Sequence, residues 1–477
     1  MDDQLINETN VKRTIAPALA PPGASWTTAS GWLVGVPNSV AATGNMIAIA
    51  RGPKVEIGRL DGGQVTSLVG HLLPDRVRHL LWQGNQLIAS TFSAAWRCDL
   101  EQPREVSTVA TRQQSWCRSA RVGADEWTID NWGRLVGSEV ASPLPVGAAV
   151  FQIVALPKPF MFGGQQWDLL ASAMDGLWLV DTTHGRTTHL HHRPARALTG
   201  DQHIWALFND ELCLIGSSGV EQPGLRFESP LAARAGSPGL LIGTCERLWK
   251  FDSPSGEVVE DGGATDIVLH EGSVIAVREG LVRCDPGRPQ VSKAHQWEGG
   301  EPCRLISNTQ GAVTLTAPPL VVTLDSEIVV GQTWSAPFGP LAAVTVRDSV
   351  FICGGESGLF MAGPTGMNRV FDDILVALDL CAVPDGIVVA TGAAVIRIDC
   401  EAEPFMSHNL DLPGVSTVAA DGDLVLAQVE DVVEVLAASD LARLVRLRAQ
   451  VDPRRASLAD RSILICGYDA LEVIDLD

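Results

Sequence analysis

This 477-residue chain contains one cluster of histidines, the run HLHHRP at residues 189–194. On a β-strand His189 and His191 would point to the same face, and imidazoles placed in this way can bind a metal ion such as zinc. No cysteine or carboxylate lies at short ligand spacing, so a third ligand would have to come from elsewhere, for example His184 or His203. A solvated outer strand also explains the run. We adopt that interpretation and predict no metal site and no cofactor.

A column of carboxylates is the second pattern with chemical potential. Aspartate recurs at the end of apolar segments, at Asp61, Asp99, Asp181, Asp252, Asp285, Asp325, Asp399 and Asp475. An aspartate that follows a strand typically accepts hydrogen bonds from the amides of the next turn. Several of these positions have a glycine two to four residues later. We therefore predict that the column stabilises turns and is not a catalytic or cation-binding set.

These residues sit on a repeated element. Each aspartate ends a pair of apolar segments joined by a short turn, such as NMIAIARGPKVEIGRLD, and four similar pairs without the final aspartate begin at Asp125, Asp210, Asp348 and Gly422. Alternating Val, Ile and Leu bounded by Gly and Asp predicts twelve β-hairpins. Flanking segments such as VRHLLW and EVSTVA leave room for four strands in about 40 residues, the size of a β-propeller blade.

Two repeats carry a resemblance to known blades. GLWLVDTTHGRTTHL (residues 176–190) and RLWKFDSPSGEVVE (residues 247–260) resemble quinoprotein-type (PQQ-like) and WD40-like propeller repeats, in which an aromatic-containing strand ends in Asp and a Thr/Ser-x-Gly turn follows. The Gly-His and Trp-Asp signature of WD40 repeats is missing. The resemblance implies a fold and not a function. We predict an all-β protein with about twelve four-stranded blades arranged as two β-propellers.

Charge and tryptophan content divide the chain. Residues 1–250 have a net charge of −1 and residues 251–477 a net charge of −20, and eleven of the thirteen tryptophans lie in the first part. We predict a first propeller over residues 36–260 and a second, acidic propeller over residues 261–477. The last repeat has three strands, so residues 1–35 are predicted to supply a ring-closing strand at 12–19.

Tryptophans and one basic segment are candidates for partner contact. Four tryptophans lie within predicted strands, where we expect them to pack between blades: Trp82, Trp96, Trp178 and Trp249. Six tryptophans lie near predicted turns and could either bind a partner or pack locally: Trp26, Trp32, Trp116, Trp132, Trp297 and Trp334. The segment SDLARLVRLRAQ at 439–450 is either an amphipathic helix or a fourth blade strand, and its position after a hairpin favours the strand, with Arg446 and Arg448 on one face.

Composition excludes several classes of partner. The net charge of −21 argues against binding to nucleic acid or to an anionic membrane, both of which select basic surfaces. The N-terminal residues are polar, and the ten cysteines are scattered without a CxxC pair. These features favour a cytoplasmic protein with reduced thiols.

Function is the least determined property. The sequence has no G-x-S-x-G elbow, no phosphate-binding loop and no H-E-x-x-H motif, so we predict no enzymatic activity. The hypothesis is a protein–protein interaction scaffold, a subunit of a multi-protein assembly. By analogy with similar propeller proteins, its partner would be an AAA+ ATPase or a von Willebrand A-type subunit. The alternative is a propeller hydrolase or lyase with a metal or histidine centre at a ring axis.

Overall fold

The computed structural model is built from β-strands, and its described residues contain no helix. The structure describes residues 11–16, 23, 26, 32–61, 64–91, 94–99, 106–109, 119–137, 144, 146–200, 203–234, 240–251, 256–261, 263–270, 273–277, 281–285, 288–295, 301–308, 311–317, 320–324, 330–336, 338–347, 349–363, 366–401, 405–459 and 461–476. Within these ranges, no helix could cross a membrane.

The chain divides into two compact units. The first, which we call the N-terminal unit, comprises residues 18–228, and the second, the C-terminal unit, comprises residues 1–17 and 229–477. The predicted boundary at 260/261 is therefore wrong by one sheet. The reason is packing: Leu241 and Leu248 lie in one apolar cluster with Ile267 and Ala276, so the sheet at 232–261 belongs to the C-terminal unit.

The N-terminal unit shows five sheets in the described ranges. They are β3 (Ser39–Thr43), β4 (Met46–Arg51), β5 (Lys54–Asp61) and β6 (Gln64–Leu72); β7 (His79–Gln83), β8 (Gln86–Ser90), β9 (Ala95–Asp99) and β10 (Val106–Val109); β11 (Ser119–Val122), β12 (Asp125–Ile129) and β13 (Leu135–Gly137); β14 (Val150–Phe162), β15 (Gln165–Ala173), β16 (Gly176–Asp181) and β17 (Arg186–His191); and β18 (Ala197–Gly200), β19 (Ile204–Leu207), β20 (Glu211–Gly216) and β21 (Gly219–Glu228). Strand β2 (Trp32–Val34) joins the last of these sheets, parallel to β21.

The C-terminal unit shows seven sheets over its described residues. They are β22 (Ala232–Arg234), β23 (Leu240–Gly243), β24 (Arg247–Phe251) and β25 (Gly256–Asp261); β26 (Asp266–His270), β27 (Ser273–Val277), β28 (Leu281–Asp285) and β29 (Arg288–His295); β30 (Glu301–Asn308), β31 (Gly311–Ala317), β32 (Leu320–Leu324) and β33 (Val330–Ser335); β34 (Ala342–Val346), β35 (Ser349–Cys353), β36 (Leu359–Gly363) and β37 (Gly366–Arg369); β38 (Asp379–Val383), β39 (Gly386–Ala390), β40 (Ala394–Asp399) and β41 (Met406–Asp411); β42 (Val415–Asp421), β43 (Leu424–Val429), β44 (Val432–Ala437) and β45 (Arg443–Arg448); and β46 (Pro453–Ala459), β47 (Ser462–Gly467) and β48 (Leu471–Asp475) with β1 (Lys12–Ala16).

Eleven of the twelve predicted hairpins are confirmed as the second and third strands of these sheets, and the hairpin that begins at Asp210 forms the third and fourth strands, β20 and β21. In both units the first strand of one sheet contacts the first strand of a neighbouring sheet, as β34 contacts β38 and β38 contacts β42. The first and last sheets of each unit also lie side by side, because β22 contacts β46 in the C-terminal unit and β18 contacts β3 in the N-terminal unit. This is the architecture of a β-propeller.

Hydrophobic cores lie between neighbouring sheets. Strands such as β39 and β47 are buried along most or all of their length, since both of their faces are covered by other sheets. One cluster joins Val388 and Val395 to Val425 and Leu436 of the next sheet. A sheet that is apolar on both faces cannot be stable without two neighbours, and a closed cycle provides them.

Side chains also bond neighbouring sheets together. The Ser39 hydroxyl accepts a hydrogen bond from the Leu80 amide at 3.0 Å, and the Gln152 amide oxygen accepts one from the Leu198 amide at 2.7 Å. In the C-terminal unit, a carboxylate oxygen of Asp379 accepts from the Val418 amide at 3.2 Å. In each case the donor is a first-strand amide of the adjacent sheet. Each bond gives an acceptor to an amide on the unpaired edge of a first strand, and buried amides require such an acceptor.

Strand β1 completes the last sheet of the C-terminal unit. It pairs antiparallel with β48 from Lys12 opposite Asp475 to Ala16 opposite Leu471, at the position where the sequence indicated a missing strand. Ile15 packs in the same apolar cluster as Ile474. The remaining residues of the predicted 1–35 segment do not act as one element, because β2 joins a sheet of the other unit.

An ion pair accompanies this closure. The Arg13 guanidinium donates to a Glu472 carboxylate oxygen at 3.0 Å and to the Arg448 carbonyl at 2.7 Å. The second Glu472 oxygen accepts from the Gln450 amide at 2.7 Å. Glu472 is fully buried. Burial raises the pKa of its carboxyl above the ordinary value, although the Gln450 amide and the Arg13 charge oppose the shift.

Removal of residues 1–16 is expected to destabilise the chain. It would expose the edge of β48 and uncover the core around Ile474, so the melting temperature should fall by several degrees. Thermal unfolding followed by circular dichroism measures the change. Deletion of residues 1–10 retains β1 and serves as the control. Equal melting temperatures for the two deletions would contradict the closing role of β1.

The substitution Arg13→Ala is expected to destabilise the chain in a pH-dependent manner. At pH 7 it leaves a buried, unpaired carboxylate, which we expect to lower the free energy of unfolding by about 3 kcal/mol. Because the pKa of Glu472 is already raised and would rise further without the Arg13 charge, acidification neutralises the carboxyl in the folded state and reduces the loss. Urea unfolding at pH 7 and pH 5 measures both values.

The matched control is Lys12→Ala. The Lys12 ammonium lies 3.9 Å from Asp475 and its side chain is 76% exposed, so its removal should change stability little. A loss for Arg13→Ala that is equal at both pH values would show that its effect does not depend on the ionisation of Glu472.

Candidate functional site

The N-terminal unit encloses a cavity of about 610 Å³. Its walls are the first strands of the unit's sheets, β3, β7, β11, β14 and β18, so the cavity lies where these strands converge. A volume of this size is typical of sites for small molecules. The convergence is a direct result of the topology, since each sheet places its first strand beside the first strand of the next.

Cationic side chains from three sheets line this cavity. Arg78 and His79 come from the start of β7, Arg121 from β11 and Arg196 from the residue before β18. No aspartate or glutamate is among the described lining residues. Burial lowers the pKa of His79, and the positive charge of Arg78 lowers it further. The electrostatic environment is therefore positive, within a chain whose overall charge is −21.

The corresponding cavity of the C-terminal unit has a different character. It measures about 140 Å³ and is lined by residues of β22, β34, β38, β42 and β46. Its arginines are Arg234 and Arg455, and the Arg455 guanidinium lies 3.2 Å from the buried carboxylate of Asp266. This cavity is smaller, and one of its two cations is neutralised by an internal ion pair.

Two exposed apolar side chains occupy adjacent turns of the N-terminal unit. Trp132, between β12 and β13, is 78% exposed, and Met174, between β15 and β16, is 71% exposed. Residues 149 and 150 connect the two turns: the Val150 amide donates to the Gly133 carbonyl at 2.7 Å, and the Met174 amide donates to the Ala149 carbonyl at 3.1 Å. We call Trp132 and Met174 the apolar turn pair.

The backbone explains why the two turns approach each other. Gly133 has a φ of +74°, a left-handed conformation that glycine adopts readily, and a Cβ built on it would lie 2.7 Å from the Ala149 Cβ. Asp130 holds the other side of the turn, since its carboxylate accepts from the Trp132 amide at 2.8 Å and the Arg134 amide at 2.9 Å. The turn is tightly held while its tryptophan faces solvent.

The histidine run lies on an outer strand, as the non-metal interpretation predicted. His189 and His191 both lie on β17, which is the fourth strand of its sheet and ends at His191. His189 Nε2 lies 3.2 Å from the Asp175 carbonyl oxygen, and His191 Nδ1 accepts from the Arg193 amide at 3.1 Å. Of the two candidate third ligands, His184 has its Nδ1 2.9 Å from an Asp181 oxygen, and His203 is exposed. Across the described residues, no group of three His, Cys, Asp or Glu side chains could hold a metal.

The aspartate column separates into two roles. Asp181 accepts from the His184 amide at 3.0 Å and Asp399 from the Glu401 amide at 2.8 Å, which are the predicted turn contacts. Asp99 and Asp475 instead accept from side chains on a neighbouring strand, Gln86 at 3.4 Å and Ser462 at 3.1 Å. The side chains of Asp61, Asp252, Asp285 and Asp325 lie outside the described residues. Residues 100–105 and 477 lie outside the described residues, so turn contacts of Asp99 and Asp475 stay a prediction.

Asp181 is the most engaged member of this column. Its burial favours the neutral form, but hydrogen bonds from Arg186 and His184 outweigh burial and lower the pKa of the carboxyl. The carboxylate thus stays charged and holds the turn before β17. That is a structural role.

The tryptophans divide by burial in a way that their spacing did not predict. Trp249 is buried, and Trp82, Trp96 and Trp178 are partly buried in their sheets. The turn candidate Trp26 is also fully buried, against Gly58 and Val65, so packing and not partner contact explains it. Trp334 is partly buried and donates to the Gly363 carbonyl at 3.2 Å. Outside the described side chains lie Trp32, Trp116 and Trp297.

The segment at 439–450 forms a strand, as its position favoured. Strand β45 is the fourth of its sheet, and Arg446 and Arg448 are exposed on it. Neither arginine is free, because Arg446 lies 3.5 Å from Glu434 and Arg448 lies 2.6 Å from Asp431. The basic patch that the sequence indicated is therefore neutralised by Glu434 on the adjacent strand and by Asp431 in the turn before that strand.

Sequence reasoning missed the cationic cavity. Arg78 and Arg196 each stand directly before a first strand, and each donates its amide to the end of the second strand, Ser90 at 2.7 Å and Leu207 at 2.6 Å. At the matching positions of the C-terminal unit stand Leu231, Thr265, Leu341 and Leu378. Asn38 holds the same position before β3, and Arg121 lies within β11, so the residue type at this one position does not identify the site by itself.

Comparison with known proteins finds no family. No protein-family model matches the sequence, and no curated protein matches it. Among solved structures, the chain is similar to the extracellular domain of a putative hybrid two-component system from B. thetaiotaomicron, with 11% identity and a TM-score of 0.45, over 93% of this chain and 70% of that one. It is similar to PorZ, a surface component of the type-IX secretion system of Porphyromonas gingivalis, with 10% identity and a TM-score of 0.46, over 92% and 74%.

A third neighbour covers a shorter region. Virginiamycin B lyase from Staphylococcus aureus, in a catalytically inactive form with quinupristin, matches with 9% identity and a TM-score of 0.42, over 52% of this chain and 96% of that one. All three neighbours are β-propeller proteins. The fold described above depends on the strand pairing of this chain itself.

Replacement of both His189 and His191 by alanine is expected to leave stability nearly unchanged. His189 is exposed, and His191 contributes one hydrogen bond and a ring contact to Phe208, so the summed loss should stay near 1 kcal/mol. Addition of zinc to the parent chain should not raise its melting temperature. A large loss in the double variant, together with a zinc-dependent rise in the parent, would support the metal-site alternative.

Proposed function

We propose that this protein is a non-enzymatic interaction scaffold, with one propeller of five blades in the N-terminal unit and one of seven in the C-terminal unit. The five cavity-lining first strands and the return contact between β18 and β3 support the first number. The seven sheets with the contact between β22 and β46 support the second. Such rings are rigid platforms whose turns are available to partners.

The apolar turn pair carries the binding proposal. Tryptophan and methionine are both enriched at protein interfaces, and a tryptophan that is 78% exposed leaves a large apolar area in water. The turns that hold Trp132 and Met174 are bonded to each other through the backbone, so the surface is ordered before a partner arrives. A preorganised apolar surface loses little conformational entropy on binding.

Charge supports a division between the units. The N-terminal unit has 16 basic and 18 acidic residues, whereas the C-terminal unit has 19 basic and 38 acidic residues. A partner of the C-terminal unit would be steered by charge and slowed by salt, and a partner of the apolar turn pair would not. By analogy alone, an AAA+ ATPase or a von Willebrand A-type subunit is the first partner to test.

The cysteines support a reducing compartment, and we place the protein in the cytoplasm on that basis. Seven cysteines of the described ranges are free thiols, and five of these are buried. Burial raises the pKa of Cys98 to about 11 and that of Cys213 to about 12, so both remain protonated and unreactive at neutral pH.

A hydrolase or lyase is the second candidate, because His79 lies in the cavity at the centre of the N-terminal unit. A general base needs a partner that orients the imidazole, and no carboxylate is among the described lining residues. The scaffold therefore has the stronger support. An enzymatic activity that is lost in His79→Ala but retained in the double variant Trp132→Ala and Met174→Ala would favour the second candidate.

The scaffold proposal is tested with the double variant Trp132→Ala and Met174→Ala. We expect the full chain, tagged and isolated from its source cells, to retain a stoichiometric protein partner that the double variant loses, at an unchanged melting temperature. Met161→Ala is the matched control, because Met161 is another exposed methionine of the same unit, near a different turn. Absence of a stoichiometric partner, or equal retention by all variants, would contradict the proposal.

A further inference from the structure

We propose that the central cavity of the N-terminal unit binds a small polyanionic molecule, one that carries at least two negative charges as phosphoryl or carboxylate groups. This inference is independent of the scaffold proposal, which concerns the protein surface. It depends on the cavity of about 610 Å³ and on Arg78, Arg121 and Arg196, which line it from separate sheets.

Two of these guanidinium groups have no internal counter-ion. Within the described part of the chain, no carboxylate forms an ion pair with Arg121 or Arg196. Two other arginines of the same unit have carboxylate partners: Arg193 contacts Asp210, and Arg134 lies 2.7 Å from Asp130. An external anion with two acidic groups could supply counter-ions to both cavity arginines.

The side-chain chemistry determines the class of ligand. A guanidinium presents several N–H donors in a planar arrangement that matches the oxygens of phosphate and carboxylate groups. Uncharged donors and acceptors lie among the same lining residues, including Gln152 and Thr199, but these side chains already bond neighbouring sheets. The charged contacts must therefore supply most of the affinity, and a ligand with one charge would satisfy only one arginine.

Repulsion among the cations gives the site a further reason to bind. Arg121 and Arg196 line the same cavity, and their like charges repel each other. Burial lowers the pKa of His79, and the neighbouring Arg78 charge lowers it further. A polyanion would relieve the repulsion. The C-terminal cavity provides the contrast, because Asp266 already neutralises Arg455 there.

Calorimetric titration of the full chain tests the proposal. The probes are pyrophosphate, citrate and, as a monovalent control, acetate, each at low ionic strength. We expect saturable binding of pyrophosphate or citrate with one site per chain, and at least tenfold weaker binding of acetate. Preference for pyrophosphate would assign a phosphoryl ligand, and preference for citrate a polycarboxylate.

Three variants decide where the ligand binds. Arg121→Gln and Arg196→Gln should each weaken binding at least tenfold, because each removes one charged contact. Arg97→Gln makes the same change of charge at an exposed position on β9, outside the cavity, and should leave the affinity unchanged. Melting temperatures of all three establish that the fold is retained. No saturable binding at millimolar concentrations, or equal weakening in Arg97→Gln, would overturn the proposal.

Discussion

Each sheet of this protein must be covered on both faces, and the rest of the structure depends on that constraint. Val388 and Val389, adjacent on β39, point to opposite faces of their sheet and both are fully buried. Val388 packs towards the following sheet and Val389 towards the preceding one. A linear stack would leave two apolar faces in water at its ends. A cycle of sheets removes both ends, so ring closure is a requirement of the hydrophobic pattern itself.

Closure places strict demands on polar groups. First strands leave amides that no strand pairs, and residues such as Ser39, Gln152 and Asp379 accept from them across the gap between sheets. At the join of the C-terminal unit, Arg13 enters with β1 and meets Glu472 in a buried position. Such a pair adds less net stability than its geometry suggests, because both charges lose water. It does make the arriving strand specific, since only a strand with a cation in this register neutralises Glu472.

The same geometry creates the sites. Convergence of first strands brings Arg78, Arg121 and Arg196 together although they are far apart in the chain, and outward turns carry Trp132 and Met174. The cavity is positive while the chain is strongly acidic, so overall charge describes the surface and not the interior of the ring. The two proposed binding sites therefore use different physics: the turns offer apolar area, and the cavity offers positive charge.

Sequence alone determined the elements of this protein, because hairpins are local. Alternating apolar residues predicted the strands, and the repeat predicted their grouping in fours; even the β1 position followed from a count of strands in the last repeat. The boundary between units did not follow, since the jump in net charge near residue 250 reflects surface composition, whereas Leu241 and Leu248 decide by packing which unit their sheet joins. Trp26 and Trp132 both lie near turns, yet one is buried and the other exposed, because burial depends on which sheet lies opposite. The sequence did not predict that the cavity arginines share one site, because residues in separate repeats become neighbours only when the ring closes.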